Sequence, residues 1–411
     1  MTVSVLQINT SDAAGGAEVV ALSLHRAYRV RGLDAWLGVG LRRGDEDGVL
    51  SIGGAGSRRS RALRDPGVLL DVARGREDFR FPASHRVLEL APSAPEILHL
   101  HNLHGGYFDL RALPDLSARQ PTVVTMHDEW LYTGHCAYTL GCDRWQDVCG
   151  SCPHLDVYPG LRVDGTAGNR RRKAALYERA RLHVVCPSAW LLERAERSAL
   201  APAIASARVI PNGIDLEVFS TGDRDEARAL LDVPPDAHVV VFAAQGARTN
   251  PYKDFATLRA ALELVGAGPG SNVIAVALGE RAADERLGRV LLRSEAFVER
   301  ERVAAFLRAA DLYIHATRAD NHPLAVLEAL ACGVPVVAAR VGGIGEQLRE
   351  ETGVVVEPED AVALADAVSE LLADDGRRQR MGAAALEDAR GRFGLESQVE
   401  AYLDLYRELA A

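Results

Sequence analysis

Apolar runs of strand length recur along this chain, each followed by a stretch of helical period, and no other feature of the sequence restricts the fold so much. Val239-Val240-Val241-Phe242-Ala243-Ala244 and Pro335-Val336-Val337-Ala338-Ala339 are apolar at every position, so both of their faces need cover. Strands inside a parallel sheet meet that condition. Parallel strands require crossovers, and a helix with one apolar stripe crosses over while covering the sheet. The alternation runs twice. The first series predicts strands at 4–10, 35–41, 96–102, 121–128, 183–188 and 208–211, with a helix at 17–31. The second predicts strands at 239–245, 273–279, 311–317 and 335–341, with helices at 255–265, 301–310, 324–332 and 361–373. The chain therefore reads as α/β, built of two Rossmann-like doubly wound domains facing a central cleft.

Turn residues in Pro211-Asn212-Gly213-Ile214-Asp215 mark the boundary. The expected division is 1–206 for a first Rossmann-like domain, 207–393 for a second and 394–411 for a closing helix. In such sheets ligands bind outside the carboxyl ends of the strands. The Gly-, Ser- and Arg-rich stretch 53–67 predicts a mobile loop.

With 47 basic against 57 acidic residues, the net charge of -10 lacks the broad cationic face of a duplex binder, so no nucleic-acid partner is expected. Arg58-Arg59-Ser60-Arg61 and Arg170-Arg171-Arg172-Lys173 read as solvated faces or, beside a lipid-linked or polyanionic acceptor, as peripheral membrane contacts. No apolar run approaches membrane-spanning length. The first nine residues have no basic n-region and read as a strand, which predicts a cytoplasmic location, with contact at the inner face of a membrane left open.

Candidate site residues fall where strands give way to helices. Gly15 and Gly16 let backbone approach a phosphate or sugar without a Cβ in the way, although a plain tight turn would use the same residues. Neither G-x-G-x-x-G nor the P-loop pattern occurs. Arg248 and Lys253 share a strand-to-helix loop, and the only other lysine is Lys173. A planar fork and a point charge suit a diphosphate; a surface pair is the alternative. Pro323 starts a helix whose Leu324 and Ala325 N–H groups stay open to phosphate oxygens. Glu328, inside the apolar helix, would be costly to bury without partners. His127-Asp128 ends a strand, as do His99, His101, Asn102 and His104, a cluster that lines the acceptor side or binds zinc.

Four cysteines crowd one segment, Cys136-x5-Cys142-x6-Cys149-x2-Cys152, beside His135 and His154. In a cytoplasmic setting this density favours a structural zinc held by four thiolates, with no open position for catalysis. A disulfide pair and idle buried thiols remain alternatives. Trp130, Tyr132, Tyr138 and Trp145 suggest that the cluster braces a loop over the acceptor side.

In order along the chain, Gly15-Gly16-Ala17-Glu18, His127-Asp128, Pro211 to Asp215, Arg248 with Lys253, and Asp320 with Glu328 resemble the large family of retaining GT-B glycosyltransferases with a Glu-x7-Glu motif, family 4 type. The run from His127 to Cys136 is similar to the branch of polysaccharide-assembly and colanic-acid-type transferases. The resemblance implies a nucleotide-diphosphate sugar, a UDP-sugar first, as donor, and a small-molecule, glycan or lipid-linked acceptor, with no catalytic metal. It implies that Arg248 and Lys253 neutralise the leaving diphosphate, Glu328 accepts the ribose hydroxyls, Asp320 holds a sugar hydroxyl and His127 contacts the donor sugar. It also implies that a hinge near 211–216 closes the domains and that the last helix, about 398–409, packs on the first domain. Asp320 departs from the commoner Glu. Gly342-Gly343-Ile344-Gly345-Glu346 follows the next strand and closes the same pocket or forms a plain turn. A sugar-nucleotide hydrolase or epimerase of the same fold, or a silent binding module, is the competing reading.

Overall fold

A computed structural model describes residues 3–411 except 14, 54–64, 78, 235, 244–245, 247 and 297–298. The basic cluster at 58–61 and most of the loop expected at 53–67 lie outside the described residues. By its own contacts the chain forms two units, residues 1–211 with 399–411, and residues 212–398.

The first unit is a parallel sheet of seven strands: β1 (Val5–Ser11), β2 (Ala35–Leu41), β3 (Val49–Ser51), β4 (Ile97–Leu100), β5 (Thr122–Thr125), β6 (Leu182–Cys186) and β7 (Ile204–Val209). Their order is β3-β2-β1-β4-β5-β6-β7. β1 is central, with Val5 opposite both Ala35 and Ile97, and Leu6, Ile8, Leu98, Leu100 and Val124 are fully buried. The helix Gly16–Val30 turns Ala17, Val20, Ala21, Leu24 and Tyr28 inward, a spacing of three and four that keeps one stripe on the sheet.

Helix Leu395–Ala410 runs into the end of the chain, and its residues from Val399 onward belong to this first unit. Tyr402 and Tyr406 are completely buried there. The Tyr406 hydroxyl bonds His99 Nδ1 at 2.6 Å and Tyr28 at 3.2 Å, and Tyr402 bonds Thr125 at 2.7 Å.

The second unit repeats the design with β8 (His238–Ala243), β9 (Val273–Leu278), β10 (Glu285–Leu287), β11 (Val290–Glu295), β12 (Leu312–His315), β13 (Val336–Ala339) and β14 (Gly353–Val356), in the order β10-β11-β9-β8-β12-β13-β14. Only β10 pairs antiparallel, with β11. In each sheet the order reverses beside the first strand, between β1 and β4 and between β8 and β12. A crevice opens at the carboxyl ends of strands at such a point, which fixes where each unit's site residues collect. Each unit is a doubly wound, Rossmann-like α/β domain, the unit that a GT-B fold contains twice. Among the described residues no helix is long and apolar enough to cross a membrane.

Candidate functional site

In the second unit the loop after β8 meets the loop after β12. Lys253 pairs with Thr317 as an isolated bridge, and the Thr317 hydroxyl and the Arg318 N–H both bond the Tyr252 carbonyl. This stitching brings the Lys253 ammonium 2.7 Å from Asp320 Oδ2. His315, at the end of β12, reaches the same oxygen at 3.2 Å through Nε2, while the Asn321 N–H bonds Oδ1 at 3.0 Å. Burial alone would raise the Asp320 carboxyl, but the Lys253 ammonium and His315 hold it well below the usual carboxylate range. Burial keeps His315 neutral. Asp320 is therefore a fixed anion that orients Lys253.

Gly342 supports that arrangement. Its φ is +53°, and a Cβ there would lie 1.8 Å from the Asp320 carbonyl oxygen, so only glycine lets the loop after β13 pass. The Gly343 N–H then bonds the Asn321 carbonyl at 3.0 Å.

Helix Leu324–Ala331 begins just beyond. Pro323 takes the cap position, one residue before the first helical position expected for it, and no side chain caps the helix. The N–H groups of its first turn, Leu324 and Ala325 among them, therefore lack a capping acceptor. Asn212 Nδ2 holds the His322 carbonyl and Gln347 Nε2 holds that of Pro323, which pins the approach. Glu328 lies partly buried on this helix, and burial pushes its carboxyl up to about 7, with Arg300 opposing. Among the described residues no hydrogen bond or ion pair is made by the Glu328 carboxylate, in contrast to Asp320.

Arg248 has other partners. Its Nε lies 2.6 Å from Glu280, and its guanidinium stacks 4.2 Å above the Phe255 ring. The structure thus joins Lys253 to Asp320 and Arg248 to Glu280.

In the first unit, His127 follows β5 and bonds His101 Nδ1 at 2.9 Å with the rings stacked; His101 continues to Gln7 at 3.0 Å. Burial lowers His127 to about 4 and His99 to about 3, so both are neutral near pH 7. Asp128 bonds His104 Nε2 at 2.7 Å, and His104 Nδ1 meets the Tyr158 hydroxyl at 3.3 Å. His99 is turned to Thr125 and Tyr406, so the four-residue cluster expected from sequence divides between core and site.

Gly15 precedes the helix Gly16–Val30, and Gly16 has nothing within 4 Å of where a Cβ would lie. At Gly15 a Cβ would meet the Glu18 carboxylate at 2.2 Å, so an acid of this chain already lies against the helix start. Burial raises the Glu18 carboxyl, opposed by its own backbone N–H.

The Arg170 to Lys173 cluster is not a cationic face. It lies on helix Thr166–Tyr177, whose rotation of about 100° per residue spreads four neighbours around the axis. Arg171 alone is exposed. Lys173 is fully buried, with its Nζ 3.0 Å from Glu77, 2.8 Å from the Trp130 carbonyl and 3.7 Å from the centre of the Trp130 ring.

The cysteine segment closes differently from the four-thiolate arrangement. Cys136, Cys142, Cys149 and Cys152 all line one small cavity, but the side-chain ligand atoms that converge within 4.8 Å belong to His135, Cys136 and Cys152. His135 was recognised in the sequence only as a neighbour.

Sequence reasoning did not single out His315, Glu280 or Tyr158. His315 had a signal: a polar residue ending an otherwise apolar parallel strand points to the ligand side.

Comparison with known proteins gives the setting. A model for Glycosyltransferase Family 4 matches residues 14–218, and one for Glycosyl transferases group 1 matches residues 234–388. The chain is 28% identical over 378 residues to a protein of Escherichia coli K12 named for colanic acid biosynthesis, the glycosyl transferase WcaC, covering 88% of this chain and 89% of that one. Sucrose-phosphate synthase of Thermosynechococcus elongatus has the same fold, with a TM-score of 0.70, 21% identity and 98% of each chain covered. Anabaena HepE, solved with UDP and glucose, superposes with a TM-score of 0.64 at 20% identity, over 99% of this chain and all of that one.

Proposed function

We propose, for a chain that belongs to the family 4 glycosyltransferases of GT-B fold, that it moves a sugar from a nucleotide-diphosphate sugar, a UDP-sugar first, to an acceptor hydroxyl with retention of configuration. The acceptor is a glycan, a lipid-linked sugar or a natural product undergoing glycosylation. A cytoplasmic setting suits this reading, at the inner membrane face where the acceptor carries a lipid.

One observation carries the proposal. Glu328 is an unpartnered carboxylate, one turn into a helix whose N-terminus no side chain caps. Such an end takes phosphate oxygens, and a carboxylate beside it takes the paired hydroxyls of a ribose. Leu324 and Ala325 supply the N–H groups. Lys253, aimed by Asp320, carries the charge that stabilises the departing diphosphate. Arg248 adds a fork when it leaves Glu280.

Front-face transfer needs no further base. The bond from the anomeric carbon to the diphosphate breaks, the acceptor oxygen bonds to the same face, and its proton passes to the leaving diphosphate oxygen. Orientation and preorganised charge then supply most of the acceleration. His127, neutral and partly buried, is assigned to hydrogen bonding with the donor sugar and not to nucleophilic attack.

A panel of nucleotide sugars, scored for thermal stabilisation and slow hydrolysis, tests this. A uridine diphosphate sugar should respond first, and Lys253→Ala or Glu328→Ala should lower transfer by orders of magnitude. Silence across the panel would overturn the proposal. Donor release or isomerisation that no acceptor accelerates would favour a hydrolase or epimerase.

A further inference from the structure

Among the described residues, left-handed backbone is concentrated in residues 135–152. Leu140, Cys149 and Ser151 have φ values of 49°, 53° and 45°, three of the five non-glycine residues with positive φ among those described. Gly141 and Gly150 are also left-handed, at 80° and 92°. Each non-glycine residue in that region costs of order 1–3 kcal/mol, so something must hold the two turns. Arg144 accounts for part of it, donating to the Gly150 and Ser151 carbonyls at 2.7 Å each.

Both turns place cysteines on the lining of the same small cavity. That cavity has a volume of about 20 Å³, enough for one water molecule or one ion. His135 Nε2 lies 3.3 Å from the Cys152 sulfur. Its other nitrogen, Nδ1, bonds the Pro159 carbonyl at 3.1 Å, so with the proton on Nδ1 the lone pair of Nε2 faces the sulfur cluster. Metal-ligating imidazoles are oriented in this way by a second-shell carbonyl. Trp145 Nε1, buried and without an acceptor among the described residues, lines the same cavity and offers a donor to a thiolate.

We infer that this loop holds a structural zinc ion ligated by His135 Nε2 and the sulfurs of Cys136, Cys152 and Cys149. The first three ligand atoms already lie within 4.8 Å of one another. Zinc–sulfur and zinc–nitrogen bonds of about 2.3 and 2.0–2.1 Å set tetrahedron edges of roughly 3.5–3.8 Å, so closing on the ion requires only small shifts. Cys149 is the fourth ligand because its two-residue spacer to Cys152 forms a chelating turn, and the left-handed residues 149–151 make that turn. Cys142 stays outside the ligand set. Binding releases the thiol protons to solvent, and four protein ligands leave no open position.

The ion bears on the first unit's site through two carbonyls. His135 holds Pro159, and the Ala137 N–H meets the Tyr158 carbonyl at 3.5 Å. Tyr158 in turn reaches His104, the partner of Asp128. The zinc fixes the segment that carries Tyr158.

The test uses the full-length chain purified under reducing conditions without chelator. One zinc per chain by elemental analysis is expected, and cobalt exchanged for it should give tetrahedral d–d bands with thiolate charge-transfer absorption of three-sulfur intensity. His135→Ala and Cys152→Ser should lose the metal, Cys149→Ser should lose it or reduce the thiolate count, and Cys142→Ser should retain both. If a variant does not fold, the cobalt spectrum of the unaltered chain decides. Metal-free protein that cobalt neither binds nor stabilises, a disulfide among these cysteines in freshly purified protein, or metal loss from Cys142→Ser with retention in Cys149→Ser would overturn the inference. None of these readouts depends on sugar transfer.

Discussion

Two acids in the second unit show how local partners decide what a carboxylate does. Asp320 is saturated by Lys253, His315 and the Asn321 N–H, whereas Glu328 has burial without a partner. The Glu328 carboxyl, raised to about 7, must ionise to accept ribose hydroxyls, so affinity for uridine diphosphate should weaken as pH falls. Between about pH 8 and about pH 6 the loss should be about tenfold, and Glu328→Gln should abolish the slope, by titration calorimetry at each pH. The stability sign is opposite to that of a paired acid. Because the folded form binds its proton more tightly, burying Glu328 becomes costlier as pH rises from about 4.5 to about 7, so Glu328→Gln should gain relative stability over that window. Lys173 makes the complementary case. Removing its charge by Lys173→Met strands Glu77 in the interior and should cost about 3–5 kcal/mol in urea unfolding, and adding Glu77→Leu should restore much of it.

At the scale of elements, backbone constraint at Gly342 lets a loop pass against the Asp320 backbone carbonyl. Gly342→Ala forces a Cβ into the Asp320 carbonyl at a left-handed position, so it should destabilise the chain by about 1–3 kcal/mol in denaturant unfolding. It should also weaken nucleotide-sugar binding, since Asp320 and Lys253 move together. The sequence made the central strands legible because burial on both faces leaves no room for polar residues: β2 begins and ends where expected, and β9 and β13 lie inside the expected runs. It did not disclose β10 and β11, whose Glu285, Arg286, Arg293 and Glu295 belong to an edge ribbon with one half-wet face. Lys173 misled for a related reason: a run of four charges looks like a surface until helical rotation sends one of them inside. Of the residues expected at the site, Lys253 and Asp320 sit in loops beside strand ends, and the structure brings those two together. The partners that aim them, His315 and Gly342, depend on which strands become neighbours, and spacing along the chain does not carry that.

At the scale of the whole molecule, the end of the chain is part of the first core. Val399, Tyr402, Leu403, Leu405 and Tyr406 are buried, and Tyr402 and Tyr406 bond Thr125, His99 and Tyr28, which precede them by hundreds of positions. Each side chain of this size contributes about 1.5–3 kcal/mol on burial, so the set rivals the roughly 5–15 kcal/mol net stability of an ordinary domain. The second unit ends at Gln398, whose Oε1 accepts from the Gly213 N–H at 2.9 Å. Removal of residues 399–411 should therefore strip protection from β1, β4 and β5 in hydrogen exchange while β8, β12 and β13 keep theirs. Tyr406→Phe separates burial from hydrogen bonding, because the ring stays and only the bonds to His99 and Tyr28 go. It should cost about 0.5–1.5 kcal/mol and leave exchange in β8, β12 and β13 unchanged. Uniform loss of protection across both sheets after the truncation would refute the assignment of residues 399–411 to the first unit's core.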